Sequence, residues 1–337
     1  MGAVSGKRVL TLNGGSSSVK YGLYAVGDAV VELSTGEVEH ADVDAGVFAD
    51  VGGGQPDAIG HRIVHGGIDL FAPVRIDADV LARLQAATAF APLHGPASLR
   101  MIALAQARYP GVPQIACFDT GFHASLPAIA ATLPIPKALR DAGVRRYGFH
   151  GLSCESILAQ LGDAVPHRLI IAHLGNGASV TAVLGGQSVD TSMGLTPSGG
   201  VVMGTRAGDI DPGLLLYLMR ERGLDAAEIE TLIDRQSGLL GLSGRSSDLR
   251  VLHAAGDAAA TLALAIFCRS VAKQMAGMLV VLGGADLIVF TGGIGEHDAA
   301  VRAAISADLA FAGPIAQRVL PSQENAQIAR HVGRLLG

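Results

Sequence analysis

The hydrophobic pattern of the chain opens with two short apolar runs on either side of a polar turn. Residues 8–12 form the first run, the turn reads NGGSSS, and residues 19–26 form the second run. Two such runs separated by Gly, Ser and Asn predict a β-hairpin. The same arrangement returns at residues 169–184, where LIIAH and VTAVL flank LGNGAS. The repeated pattern predicts an internal duplication, with two halves that each open on a hairpin.

The rest of the chain alternates between strand and helix patterns. Strands are predicted at residues 58–64, 114–119 and 287–290, and helices at residues 78–89, 97–109, 212–222 and 258–281. This alternation is typical of α/β folds. A chain of 337 residues exceeds the usual size of one hydrophobic core, so we expect two domains.

The most apolar long segment, residues 275–291, is interrupted by Gly283, Gly284 and Asp286. An uninterrupted apolar stretch of about 20 residues is needed to cross a bilayer. We therefore expect a buried helix followed by a buried strand at this place, and no membrane span.

Composition and charge exclude several classes of protein. Hydrophobic residues make up 49% of the chain and charged residues 16%, which indicates a folded core and not a disordered chain. A formal charge of −5 argues against a general nucleic-acid binder, which needs a net basic face. Cys117, Cys154 and Cys268 form neither a disulfide nor a zinc pattern. Since no signal-peptide pattern opens the chain either, we expect a cytoplasmic protein.

Polar and cationic side chains are concentrated near predicted strand ends, where the sites of α/β proteins collect. Arg62 in GHRIVHGG and Arg206 in GTRAGD are flanked by glycines, so a guanidinium there can bind the carboxylate or phosphate oxygens of a closely approaching ligand. Asn13, Asp119 and Glu324 are candidate oxygen ligands for Mg²⁺, which needs only one or two protein ligands. Cations and a divalent metal are the groups that phosphoryl transfer requires.

Each of these residues also has a purely structural interpretation. An arginine taken alone is most often part of a surface salt bridge. Asp119 has the position of a cap at a strand end, and Glu324 that of a carboxylate at a helix start. Eleven histidines without HExxH spacing or cysteine partners favour hydrogen bonding to anions over a zinc site.

Ten segments, in order along nearly the whole chain, resemble the acetate kinase family. They are VLTLNGGSSSVKYGLY, GHRIVHGG, APLHGPASL, FDTGFHASLP, RRYGFHGLS, HLGNGASV, SVDTSMGLTP, GTRAGDIDP, SGLLGLSGRSSDLR and VFTGGIGE. The resemblance implies an α/β fold of the acetate and sugar kinase, chaperone and actin superfamily, with two ribonuclease-H-like (actin-like ATPase) domains and an interdomain cleft. It implies an N-terminal domain of residues 1–120 plus 322–337, and a C-terminal, nucleotide-binding domain of residues 121–321.

The resemblance also implies a reaction. It is the reversible, Mg²⁺-dependent transfer of the γ-phosphoryl group of ATP to acetate, giving acetyl phosphate and ADP by direct in-line transfer. The implied cofactor is Mg²⁺, with Mn²⁺ as a substitute, and ATP or ADP is the cosubstrate. Propionate is implied as a poorer substrate and the assembly as a homodimer, with no nucleic-acid or membrane partner.

Individual residues take roles by their match to the family. The implied catalytic residues are Asp119, His150 and Arg206. The implied metal ligands are Asn13 and Glu324. The implied substrate-binding residues are Arg62, His94, Val64, Leu93, Phe149 and Pro197. The implied nucleotide-binding residues are Lys20, His173, Leu174, Gly175, Asn176, Gly177, Asp248, Leu249, Arg250, Gly293, Ile294, Gly295, Glu296 and His297.

The chain departs from the family pattern at two positions near the implied site. Cys154 stands where the family usually has a second histidine after YGFHG, and Gly95 stands where it usually has asparagine after APLH. Each change removes a hydrogen-bonding group, so we expect altered kinetics and retained activity. The chain is also shorter than a typical member between residues 26 and 58 and between residues 311 and 320. We expect both segments to be peripheral.

Three alternatives stay open at this point. A propionate or butyrate kinase is the nearest, and a pocket residue smaller than Val64 would favour it. A pyrophosphate-linked kinase would use the same phosphate-binding groups. An ATP-dependent binding or chaperone-like protein of the superfamily has no use for Arg62, His94 and His150 together.

Overall fold

The structure, a computed structural model, describes residues 6–14, 18–39, 54–91 and 94–337. Its strands are β1 (Lys7–Gly14), β2 (Ser18–Val26), β3 (Val30–Glu39), β4 (Ala58–Ile63), β5 (Val74–Arg75), β6 (Gln114–Phe118), β7 (Arg168–Leu174), β8 (Ala178–Leu184), β9 (Gln187–Thr191), β10 (Leu287–Thr291) and β11 (Ala316–Val319). Its α-helices are α1 (Ala78–Ala87), α2 (Gly95–Arg108), α3 (Ala128–Ala131), α4 (Lys137–Asp141), α5 (Gly151–Leu161), α6 (Pro212–Arg222), α7 (Ala226–Arg235), α8 (Gly238–Ser243), α9 (Leu249–Ala255), α10 (Ala258–Leu282), α11 (Gly292–His297), α12 (Ala299–Asp308) and α13 (Glu324–Leu336).

The chain divides into two compact units. Unit 1 consists of Met1–Ala124, His150–Ser156 and Gln323–Gly337, and unit 2 of Ser125–Phe149 and Ile157–Ser322. The domain bounds expected from the sequence, at residues 120 and 322, stay a prediction. The units differ from them mainly at His150–Ser156, which belongs to unit 1.

The sheet of unit 1 has six strands in the order β3-β2-β1-β4-β6-β5. Strands β1, β2 and β3 form an antiparallel meander, β4 and β6 continue parallel to β1, and β5 is antiparallel to β6. The hairpin predicted at residues 8–26 is confirmed as β1 and β2, in which Leu10 pairs with Leu23.

The sheet of unit 2 has five strands in the order β11-β10-β7-β8-β9. It repeats the plan of unit 1, because an antiparallel meander of β7, β8 and β9 is followed by β10 and β11 running parallel to β7. The second predicted hairpin is confirmed as β7 and β8, and the shared strand order supports the predicted duplication. The shortened segment at residues 311–320 contains the exposed strand β11. The other shortened segment contains β3 and lies partly outside the described residues.

Helices cover both faces of the unit 1 sheet. Neighbouring side chains of β1 point to opposite faces, so they belong to different hydrophobic clusters. Leu10 packs in one cluster with Met101 of α2, and Val9 packs in another with Ile328 of α13. Gly60 on β4 allows α13 to approach, since a Cβ atom there would lie 2.4 Å from Ile328 Cγ2. This close packing sets the distance of α13 from the sheet, and the first residue of this helix is Glu324.

Helix α10 is, among the described residues, the one helix long and apolar enough to cross a membrane by length and composition. Within unit 2 its Phe267, Val271 and Met275 are fully buried, and it packs against β8 and α8. Strand β10, which follows, is buried along its whole length. The buried strand predicted for this part of the chain is confirmed. The helix before it is buried along one face only, because Val280 is 83% and Val281 47% exposed.

A buried histidine gives unit 1 a pH-dependent stability. His61 on β4 is 2% exposed, and its Nε2 lies 2.6 Å from Gln114 Oε1 on β6. Burial lowers the pKa of His61 from 6.5 to about 4, and the hydrogen bond to Gln114 opposes this only in part. Between these two values the unfolded chain binds more protons than the folded one. We therefore expect the His61 contribution to be full above pH 6.5 and to fall by about 3 kcal/mol as the pH drops to 4.

Urea unfolding followed by circular dichroism at several pH values between 7 and 4 measures this effect. The variant His61→Gln should lose less stability on acidification than the wild type. His167→Gln, which changes an exposed histidine of unit 2, should follow the wild type. Parallel pH profiles for the wild type and His61→Gln would contradict the assignment.

Candidate active site

Arg62 lies at the centre of a polar cluster in unit 1. Its Nε and Nη2 both donate to Asp119 Oδ2, at 2.8 and 2.5 Å. Its Nη1 donates to the carbonyl of Gly14 at 2.9 Å and lies 3.4 Å from Asn13 Oδ1. Asn13, Arg62 and Asp119 lie at or just after the carboxyl ends of β1, β4 and β6, which are parallel neighbours. The adjacency of these strand ends explains why the three side chains meet.

Glu324 joins this cluster from the far end of the chain. Asn13 Nδ2 donates to Glu324 Oε2 at 2.8 Å, across a separation of 311 residues. Glu324 is the first residue of α13, so the packing of that helix on the sheet brings its carboxylate to the strand ends. Asn13, Arg62, Asp119 and Glu324 together are called the Arg62 cluster below.

The electrostatics of the Arg62 cluster favour a cation. The side chain of Asp119 is fully buried and that of Arg62 is 13% exposed. Burial raises the pKa of Asp119 to about 6; Arg62 opposes this shift, whereas Glu324 adds to it. Burial alone would lower the pKa of Arg62, but Asp119 and Glu324 raise it above its ordinary value, so Arg62 stays charged. With both carboxylates ionised, one guanidinium faces two negative charges.

The Arg62 cluster also offers hard oxygen donors to a divalent cation. Asp119 Oδ1 is buried and has no hydrogen-bond partner within the described part of the chain. Buried polar atoms of this kind are uncommon and call for an explanation. An oxygen ligand for Mg²⁺ fits, with the oxygens of Asn13 and Glu324 beside it. The described residues contain no group of three or more His, Cys, Asp and Glu that could hold a metal ion. Water and phosphate oxygens would therefore have to complete the coordination.

His150 is held beside Asp119 through the backbone. Gly151 N donates to the carbonyl of Asp119 at 2.8 Å, and a Cβ atom at Gly151 would lie 2.3 Å from that oxygen. His150 has φ of 58°, and it is the one non-glycine residue of the described chain in the left-handed region. Such a conformation costs about 1 to 3 kcal/mol, and strained residues of this kind cluster at functional sites.

The other unit 1 predictions lie in different places around this sheet. Lys20 on β2 is exposed and pairs in register with Asn13 on β1. His94 is half-buried and directly precedes α2. Val64 is buried just after β4. Leu93 lies outside the described residues.

In unit 2, three of the predicted segments converge at Gly204. The turn of residues 173–177 connects β7 to β8, and Gly204 N donates to the carbonyl of Asn176 at 3.1 Å. A Cβ atom at Gly204 would lie 2.3 Å from Asn176 Oδ1 and 3.3 Å from Ser247 Cβ. The predicted nucleotide turn, the loop that carries Arg206 and the segment before Asp248 are therefore neighbours.

The glycine turn after β10 lies beside the same nucleotide turn. His173 on β7 pairs in register with Thr291 on β10, and a Cβ atom at Gly175 would lie 4.0 Å from Gly293 N. Glu296 does not point outward from this turn, because its Oε1 accepts hydrogen bonds from the backbone N of Gly292 and Ser322. The turn brings backbone groups together, and the two hydrogen bonds to Glu296 stabilise it.

The remaining predicted residues of unit 2 are less concentrated. Arg206 is half-buried, and its Nη1 donates to the carbonyl of Pro197 at 3.2 Å, which brings these two predicted residues together. Phe149 is buried. Asp248 caps α9 and binds Arg250 at 2.6 Å, and the Arg250 side chain is 91% exposed.

Two contacts of the site were not predicted from the sequence. The carbonyl of Gly14 accepts from Arg62, and Ser247 lies against Gly204. Gly14 follows the predicted residue Asn13, and Ser247 precedes the predicted residue Asp248. Adjacency in sequence to a predicted residue could therefore have indicated both contacts.

Comparison with known proteins agrees with this arrangement. The model of the acetokinase family matches residues 54–326. An acetate kinase from Rhodopseudomonas palustris is 42% identical over 305 residues, which cover 82% of this chain and 77% of that protein. The crystal structure of Porphyromonas gingivalis acetate kinase superposes with a TM-score of 0.85 at 33% identity, covering 98% of this chain and 100% of that one. That of a propionate kinase from Francisella tularensis superposes with a TM-score of 0.84 at 34% identity, covering 96% and 98%.

These comparisons agree with the sequence and the structure of the chain on two points, the fold class and the family. The repeated order of an antiparallel meander followed by parallel strands, together with the superposition on an acetate kinase, confirms the predicted fold class of two ribonuclease-H-like domains. The match of the family model covers all but the first and last parts of the chain, and it includes Arg62, Asp119, His150, Arg206 and Glu324. The chain therefore belongs to the acetokinase family.

Proposed function

We propose that this protein is an acetate kinase, which transfers the γ-phosphoryl group of ATP reversibly to acetate and forms acetyl phosphate and ADP. The observation that carries the proposal is the Arg62 cluster in a chain of the acetokinase family. A guanidinium and a set of hard oxygens at the carboxyl edge of one sheet suit a carboxylate substrate and a divalent cation. The relatives named as acetate kinases support acetate as the acceptor.

Arg62 is proposed to bind the substrate carboxylate. Among the described residues, its contacts to Asp119, Gly14 and Asn13 account for four of the five N–H groups of a guanidinium and leave one on Nη2. These contacts fix the plane of the guanidinium before a ligand arrives. Asp119 therefore orients Arg62, and this preorganisation lowers the cost of binding.

Asn13 and Glu324 are proposed to hold Mg²⁺, or Mn²⁺ in its place, with Asp119 Oδ1 as a further donor. A bound divalent cation neutralises phosphate charge and helps to orient the transferring group. On the protein side, Asn13 links the two functions of the cluster, since its Nδ2 orients Glu324 while its Oδ1 lies near Arg62.

Arg206 and His150 are proposed to stabilise the charge that spreads over the oxygens of the phosphoryl group in flight. Phosphoryl transfer needs positioning and charge stabilisation and little covalent chemistry, so direct in-line transfer requires no phosphoenzyme. Lys20 and the two glycine turns of unit 2 are proposed to bind ATP. We further propose a cytoplasmic homodimer that binds neither nucleic acid nor membrane, as the family resemblance implies.

A propionate kinase is the second candidate, favoured by the likeness to the Francisella tularensis propionate kinase structure. A hydroxamate assay with acetate, propionate and butyrate tests both, with MgATP, MgPPi and no metal as parallel conditions. Acyl phosphate formation that needs Mg²⁺ and ATP and is fastest with acetate supports the proposal. Faster turnover of propionate would replace it with the second candidate, and the absence of any phosphorylated carboxylate would remove both.

Val64 is expected to limit the length of the acyl chain. It is buried and lines a cavity of about 10 Å³ together with Leu84, Ala91 and Leu99. One methylene in an apolar pocket discriminates by about 1 to 3 kcal/mol, so kcat/KM should fall roughly 10- to 100-fold from acetate to propionate. Val64→Ala joins the lost side-chain volume to this cavity and should reduce that ratio about tenfold.

The measurement is kcat/KM for both acids in the wild type and in Val64→Ala. Val80→Ala serves as the matched control, because Val80 is equally buried in a core cluster of unit 1. An unchanged acetate-to-propionate ratio in Val64→Ala would contradict the role of Val64.

A further inference from the structure

A second polar cluster ties α5 to α13 within unit 1. Glu155 Oε2 on α5 lies 2.5 Å from His331 Nε2 on α13 and accepts a hydrogen bond from Gln327 Nε2 at 3.2 Å. Gln327 Nε2 and His331 Nε2 lie 3.2 Å apart, and both residues are buried, at 3% and 8% exposure. One carboxylate thus contacts two successive turns of α13. Glu155, Gln327 and His331 are called the Glu155 clamp.

A third contact lies at the start of the same helix. Gln323, directly before α13, donates its backbone N–H to Ser156 Oγ at 3.2 Å. Gln323, Gln327 and His331 are spaced four residues apart, so they form one stripe along the helix. This stripe faces α5, while Ile328 and its apolar neighbours pack on the sheet.

The two faces of α13 restrain the helix in different ways. Apolar packing keeps it against the sheet, but apolar contacts are non-directional and define position along the axis weakly. Hydrogen bonds have narrow distance and angle limits and therefore define that position well. A helix rises 1.5 Å per residue, so a shift of one residue would break the 2.8 Å hydrogen bond between Asn13 and Glu324.

Both helices held by the clamp begin at the candidate active site. Helix α13 begins at Glu324, and α5 begins directly after His150, where Gly151 is bonded to the Asp119 carbonyl. A contact between the two helices therefore also fixes Glu324 relative to Asp119. Nothing in the reaction requires Glu155 or His331 to touch a substrate.

We propose that Glu155 is a positioning residue for the divalent cation: by binding Gln327 and His331 it fixes the axial position of α13 and keeps the Glu324 carboxylate against Asn13. The inference rests on the proposed role of Asn13 and Glu324 as metal ligands. It assigns a function to two residues, Glu155 and His331, that lie 176 positions apart and outside the Arg62 cluster.

Binding of Mn²⁺ to the full-length protein in the presence of ADP, measured by electron paramagnetic resonance, tests the proposal. In Glu155→Ala we expect the Mn²⁺ Kd and the apparent KM for Mg²⁺ to rise at least fivefold, with kcat at saturating metal within about twofold of the wild type. His331→Phe should act in the same way, and the double variant should be no worse than either single one. Glu155→Gln, which keeps an acceptor oxygen, should recover much of the affinity.

Asp308→Ala is the matched control, because it removes a carboxylate that binds Arg269 at 2.7 Å on the surface of unit 2. Its Mn²⁺ affinity should equal that of the wild type. If the wild type binds Mn²⁺ no more tightly than Glu324→Gln, the metal site of the proposed function is wrong. If Glu324→Gln loses affinity while Glu155→Ala and His331→Phe keep it, the positioning role alone is overturned. Should Glu155→Ala fail to fold, His331→Phe and Glu155→Gln decide the question.

Discussion

Replacing Arg62 by alanine is expected to lower kcat/KM for acetate at least 10³-fold. Arg62 is the proposed binding group for the acetate carboxylate, and loss of a preorganised, charge-assisted donor to a carboxylate costs several kcal/mol. The variant should also be less stable by about 3 to 5 kcal/mol, because Asp119 is fully buried and would lose its charge partner. Arg62→Lys should recover little, since a single ammonium cannot bind Asp119 and the Gly14 carbonyl as the guanidinium fork does.

The two effects of Arg62→Ala can be separated. A double variant, Arg62→Met with Asp119→Leu, removes both charges and should regain stability in urea unfolding, yet remain inactive. Arg83→Ala is the control for unit 1, because Arg83 is 40% exposed and its contacts to Asp69 and Asp79 are 3.8 and 3.7 Å long. Steady-state kinetics that leave Arg62→Ala within tenfold of the wild type would remove Arg62 from the proposed mechanism.

The parts of the site carried by strand ends were predictable from the sequence. Asn13 and Asp119 each follow an apolar run, and the carboxyl ends of neighbouring parallel strands lie together. The repeated hairpin pattern likewise led to the duplicated sheet order. In both cases the signal was local, and the regular geometry of a sheet supplied the long-range arrangement.

Contacts made by α13 were not predictable in the same way. An amphipathic helix pattern reveals that one face is buried, but not which sheet it packs on. The glycine that admits the helix is Gly60, far from Ile328 in sequence. The contacts of Glu324 to Asn13 and of Glu155 to His331 depend on that packing. No spacing of residues along the chain therefore predicts them.

Two further features needed the three-dimensional structure. Strand β3 carries mostly exposed side chains at the edge of its sheet, so it lacks the apolar run by which the other strands were predicted. His150 adopts a left-handed backbone that is rare outside glycine, and the next residue, Gly151, is hydrogen-bonded to the Asp119 carbonyl. Local preference was overruled by tertiary contact in both places.

Replacing Arg206 by alanine is expected to lower kcat roughly 10³-fold while KM for acetate and for ATP changes only a few-fold. This pattern is the signature of a group that acts in the transition state more than in substrate binding. Arg206 suits that role because it is half-buried and its Nη1 contacts the Pro197 carbonyl at 3.2 Å and Met203 Sδ at 3.8 Å, which orients the guanidinium before a ligand arrives.

Chemical rescue makes the Arg206 prediction sharper. Guanidinium ion added to Arg206→Ala should restore part of kcat, whereas it should leave the control Arg269→Ala, which changes an exposed arginine paired with Asp308, at wild-type turnover. A tenfold rise in KM with unchanged kcat would instead place Arg206 in ground-state binding. Gly204 and Gly208 flank Arg206, and Gly204 contacts the turn around Asn176. Such a result would therefore extend the proposed nucleotide site to Arg206. His150 would then be the remaining candidate for stabilising the phosphoryl group in flight.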